Sequence, residues 1–109
     1  MSWNLLIYKG TTNGEKTYPM GEIGKIKEIL QVEFPDLVWP LEYICSLEVD
    51  GGFEIEFKEE NKVVQNMWTN GGYNHLPQLC RLAKENDWRI CDAQEGGDLD
   101  LDDPYKNYE

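Results

Sequence analysis

Asp50-Gly51-Gly52 stands between two stretches of alternating apolar and polar residues, Tyr43–Val49 and Phe53–Lys58. This arrangement constrains the fold most. Glycine supplies the positive φ that a tight hairpin connection needs, and period-two alternation is the pattern of a strand with one buried face. Phe53, Ile55 and Phe57 therefore face inward, and Glu54, Glu56 and Lys58 face outward. Glu59-Glu60-Asn61-Lys62 is a second turn, and Val63–Thr69 a third meander strand. An antiparallel sheet is the expected frame.

The flanking segments add helices to it. Trp3–Tyr8 reads as a first strand, with Trp3, Leu5 and Ile7 on one face and Leu6 and Tyr8 on the other. Gly10–Pro19 is polar and rich in turn residues. Gly21–Phe34 follows as a helix: Ile23, Ile26, Leu30 and Phe34 recur at spacings of three and four. Pro35 stops it, because the residue before a proline resists the helical region. Asp36–Glu42 is a connection. Asn70-Gly71-Gly72 breaks the sheet, and Asn74 and Pro77 mark a second helix start, one as cap and one in the first turn. Leu76, Leu79, Cys80 and Ala83 make its buried stripe, and Asn86 is the expected left-handed stop. Trp88–Asp92 returns as the last strand. The expected class is α+β, a mainly antiparallel sheet with two helices on one face, in the order β-α-β-β-β-α-β. Residues 1–103 form one domain, and 104–109 an acidic and aromatic tail in which Tyr105 and Tyr108 are expected to be mobile.

Charge is concentrated at the end of the chain. The 109 residues carry a net charge of −11. Residues 85–109 hold nine acids against Arg89 and Lys106, and the preceding 84 residues twelve acids against eight bases. Binding of nucleic acid through phosphates needs clustered Lys and Arg, so this balance argues against it. No apolar run reaches bilayer length, and Met1–Lys9 lacks the basic and apolar regions of a leader, so neither a membrane partner nor export is expected. Cys45, Cys80 and Cys91 are odd in number and widely spaced. They read as small apolar residues in a cytoplasmic protein.

Chemistry-bearing patterns are few. Asp92–Asp103 has the length of a calcium loop, with Asp at position one and Gly at six. Gln94 and Gly96 at positions three and five weaken it, and Asp103 at twelve reaches less far than the usual Glu. His75 and Cys80 are five apart on a helix, hence about 140° apart around its axis, which is wrong for a catalytic pair. No nucleophile elbow, phosphate loop or zinc motif occurs. Gly71-Gly72 before a helix suits anion binding, but it also suits plain turn geometry. No cofactor and no enzymatic activity are expected. Among the aromatics, Trp3, Trp68 and Trp88 read as core, and Trp39, beside Pro40 in a connection, as an exposed interface anchor.

Met1-Ser2-Trp3, Phe34-Pro35, Gly71-Gly72, and Asn86-Asp87-Trp88-Arg89 with Asp92, Gln94 and Gly96 resemble a loose group of small uncharacterised bacterial proteins. The group usually has Gly where this chain has Asp87. The resemblance implies a shared fold and no particular activity. Small acidic bacterial proteins of this look also resemble immunity proteins that neutralise toxins. The expected function is a non-enzymatic protein-binding domain for a partner with a basic surface. Asp92, Glu95, Asp98, Asp100, Asp102 and Asp103 would steer the partner and Trp39 anchor it. The alternative is a metal- or small-ligand-responsive module using the same acidic loop.

Overall fold

The computed structural model describes residues 4–108. Their strands are β1 (Asn4–Gly10), β2 (Thr17–Tyr18), β3 (Gly21–Glu22), β4 (Val38–Leu41), β5 (Ile44–Leu47), β6 (Phe53–Glu60), β7 (Val63–Gly71), β8 (Arg89–Asp92) and β9 (Gly97–Asp98). Helix α1 (Ile23–Glu33) follows β3, and helix α2 (Leu76–Glu85) follows β7. The strands form a single nine-stranded sheet in the order β4-β5-β6-β7-β1-β8-β9, with β2 on β1 and β3 on β7. Every pairing is antiparallel. The class is α+β. Nine strands replace the five expected, the additions being the short β2, β3, β4 and β9.

The hairpin around Gly51 forms with Leu47 opposite Phe53 and Ile44 opposite Glu56. Its connection, 48–52, is longer than the Asp-Gly-Gly core. Gly51 takes φ 74°. At Gly52 the backbone passes so close that an added Cβ would lie 1.9 Å from the Leu47 carbonyl oxygen. Alternation along β6 is as read: Phe53, Ile55 and Phe57 are buried and Glu54, Glu56 and Lys58 exposed. The buried residues of α1 (Ile23, Ile26, Leu30) and α2 (Leu76, Leu79, Cys80, Leu82, Ala83) join Leu5, Ile7, Ile55 and Met67 in one apolar cluster. Each such large side chain contributes about 2 kcal/mol on burial.

Several boundaries differ from expectation, each for a local reason. Gly21–Glu22 do not open α1. They pair with Val63–Val64, and Met20 N–H donates to Val64 O at 2.8 Å. The connection Asp36–Glu42 contains an edge strand, since Val38 pairs with Ser46 and Leu41 with Ile44. Pro40 is tolerated there because an edge strand needs no donor on its outer side, and the register shifts between the two pairs. Asn74 does not cap α2: Tyr73–His75 form a 3-10 turn and His75 holds the cap position, without a side-chain cap. Asn86 is not the left-handed stop. Its φ is −108°, and Asp87 takes the positive φ of 60° instead. Asn86 rather closes the helix end with its side chain, Nδ2 donating to Leu82 O at 2.9 Å.

Candidate functional site

The acidic segment after β8 is a folded loop, built around Asp92. This carboxylate is 2% exposed. Its Oδ1 accepts the backbone N–H groups of Gln94 at 2.9 Å and Glu95 at 3.1 Å. Its Oδ2 accepts the Tyr108 hydroxyl. Burial pushes its pKa upward, but the hydrogen bonds from Tyr108, Gln94 and Glu95 outweigh that and hold the carboxyl below its ordinary value. The side chain thus ties the β8–β9 turn, with Gly96 at φ 79°, to the C-terminal segment. It is directed inward and leaves position one of the calcium-loop reading without a free carboxylate.

Asp98 ties down the other side of the loop. Oδ1 accepts the Tyr8 hydroxyl at 2.6 Å and Oδ2 the Asn13 backbone N–H at 2.8 Å. Arg89 Nη1 approaches Oδ2 at 3.5 Å while its Nε donates to Gly10 O at 3.0 Å. Burial, then Asp98 as acceptor and as charge, raises the Tyr8 pKa. This network pins the β1–β2 turn onto β9. Asp98 therefore spends its charge inside the fold.

The remaining acids stay outside. Glu95, Asp100, Asp102 and Asp103 are exposed. Asp100 Oδ1 accepts the Asp102 N–H at 2.9 Å. Asp102 pairs directly with Lys84 at the surface, and that bond raises the Lys84 pKa. Leu99 is buried in the core and Leu101 packs against it, so the exposed acids ride on an anchored segment. Tyr105 and Tyr108 also pack against the core, and Tyr105 donates to Tyr73 O at 2.6 Å.

Trp39 is less exposed than expected. It is half-buried on β4, with its ring 5.8 Å from Phe57 and its Nε1 donating to Gln31 Oε1 at 2.6 Å. Lys27 Nζ lies 4.6 Å from the ring centre on α1. Trp88 is buried, as read, but Trp68 is 45% exposed. It sits on β7 between buried Met67 and Thr69, so alternation turns it to the opposite face of the sheet. Trp3 and Glu109 lie outside the described residues.

That opposite face supplies the residues that sequence reasoning missed. In register across it stand Ile44, Glu56, Trp68, Leu6 and Cys91. The next row holds Ser46, Glu54, Asn70 and Asn4. Between the two rows is a pocket of 180 Å³, lined by Asn4, Glu54, Glu56, Trp68, Thr69 and Asn70. The signal for it was present in the alternation of β7, where Val64, Met67 and Thr69 already account for the inward positions.

His75 is half-buried, its ring edge-on to Phe34 at 6.2 Å and Phe53 at 5.6 Å. Cys80 is fully buried and its thiol is pushed up to about 12 by that burial. Among the described residues no group of three or more His, Cys, Asp and Glu is arranged to hold a metal ion. Among them, too, no helix is long and apolar enough to cross a membrane. No protein family, curated protein or solved structure matches the chain.

Proposed function

We propose that the domain is a non-enzymatic protein-binding module that captures a partner with a basic surface, in the manner of an immunity protein blocking a toxin. The observation that carries this reading is exposed acid, of which only Asp102 has a cationic partner (Lys84), on a chain of net charge −11. Glu95, Asp100, Asp102 and Asp103 keep their carboxylates in solvent after Asp92 and Asp98 have turned inward. A field of one sign accelerates encounter with the opposite sign and rejects like-charged partners.

The reading also uses the open part of the second sheet face, beyond the buried Tyr8. Both helices cover the face of Leu5, Ile7, Ile55 and Met67, because their buried residues join that cluster. The face of Leu6, Glu56 and Trp68 is then available to a partner. The cation-responsive alternative has less support, since Asp92 already serves the loop itself.

Affinity capture from the organism that encodes the chain, at low and at high salt, tests the proposal. A specific protein partner is expected, with an association rate that falls about tenfold or more as salt is raised. Retention of no partner, or of one whose association rate ignores salt, would refute the charge-guided reading.

A further inference from the structure

We propose that Trp68, Glu54 and Glu56 form a seat for an arginine side chain of the partner protein; this rests on the basic-partner reading above and gives it an address. Glu56 stands directly opposite Trp68 on the neighbouring strand, and Glu54 is its diagonal neighbour. Opposite residues in an antiparallel pair hold their Cβ atoms about 5 Å apart and diagonal ones about 7 Å apart, so both carboxylates reach the space over the indole. All three side chains are exposed. Among the described residues neither glutamate forms an ion pair, and no side chain hydrogen-bonds the Trp68 indole.

The charge on this face is polarised. Lys58 and Arg89 stand in the row on the other side of Trp68, level with Asn66 and Tyr8, and Arg89 is held by Asp98 and Gly10. A cation arriving from solvent is thus drawn to the Glu54 end. There it meets a π face, which attracts cations, and two acceptor groups. Arginine fits this set better than lysine. Its planar guanidinium stacks on an aromatic ring while its edge donates to carboxylates, whereas an ammonium offers a point charge only. The pocket of 180 Å³ has room for one side chain and is small for a drug-sized ligand.

Titration of the ¹⁵N-labelled protein with a short arginine peptide, followed by NMR, tests the seat. The W68F variant identifies the Trp68 indole resonance. That resonance is expected to shift saturably with the arginine peptide, more weakly with the lysine peptide, and not with the neutral citrulline peptide. The E54Q/E56Q variant should bind about tenfold more weakly, and it changes only exposed side chains. An unmoved Trp68 indole, an equal response to lysine or citrulline, or unchanged affinity in E54Q/E56Q would each overturn the inference. If the arginine peptide instead shifts only residues 95–103, the seat is wrong while the basic-partner reading stands. Loss of that broader reading is judged separately, by the salt response of the captured partner.

Discussion

Asp92 belongs to the architecture, although its neighbours in sequence belong to the surface. A carboxylate with two backbone donors and a tyrosine hydroxyl stabilises the state in which it is ionised. Because its folded pKa is lowered, that stabilisation is complete above the ordinary carboxyl pKa and fades as pH falls through the folded value. D92A removes the acceptor of the Gln94 and Glu95 N–H groups and of the Tyr108 hydroxyl, and is expected to lower unfolding free energy at neutral pH by about 1–3 kcal/mol. Y108F removes one bond and should cost about 1 kcal/mol. Urea unfolding across the acid range checks both: the difference between wild type and D92A should shrink toward low pH. A constant difference would mean that the ionised form is not the one stabilised.

At the scale of elements, two backbone positions carry opposite predictions. Asp87 stops α2 in the left-handed region at φ 60°, which a side chain disfavours and glycine does not. D87G should raise stability by about 0.5–1 kcal/mol, measured as an increased denaturation midpoint with an unchanged slope. Gly52 is the reverse case, since a Cβ there meets the Leu47 carbonyl oxygen at 1.9 Å. G52A should cost at least about 2 kcal/mol by forcing the hairpin connection open. G97A, where an added Cβ meets nothing within 4 Å, is the control and should stay within about 0.5 kcal/mol of wild type.

These positions also explain what could be read from the chain before its fold was known. The hairpin, the β6 alternation and both helix stripes rest on local periodicity, which the residues themselves display. The short strands were hidden because two-residue pairings such as Gly21–Glu22 with Val63–Val64 leave no periodic trace. Tertiary pairing, not local preference, makes them strands. Likewise Asn86 has the better left-handed propensity, yet the chain reverses one residue later, where Trp88 N–H can reach Ala83 O at 2.8 Å. The acidic loop was legible as charge but not as structure. Nothing in its sequence separates Asp92 and Asp98, consumed by Tyr108 and Tyr8, from the solvated Asp100 and Asp103. The partial burial of Trp39 was not legible because its partners, Gln31 and Phe57, come from separate elements.

For the whole molecule, buried residues of α1, α2 and the inward strand positions share one apolar cluster. The opposite face of the sheet carries Trp68 and the paired glutamates, and the C-terminal loop adds exposed acid beyond the end of β8. Long-range charge and a short-range seat should separate in kinetics, because rim charges act on association and desolvated contacts on dissociation. D100N/D102N/D103N is therefore expected to slow association with little change in dissociation, while E54Q/E56Q and W68F accelerate dissociation.

The most direct measurement is the association and dissociation rates of the captured partner against ionic strength, for wild type and these variants. Wild type should associate about tenfold or more slowly at high salt, D100N/D102N/D103N should flatten that dependence, and E54Q/E56Q should shorten the bound lifetime. Rates that are indifferent to salt and equal in all of these proteins would contradict recognition of a basic partner through this acidic, Trp68-centred surface.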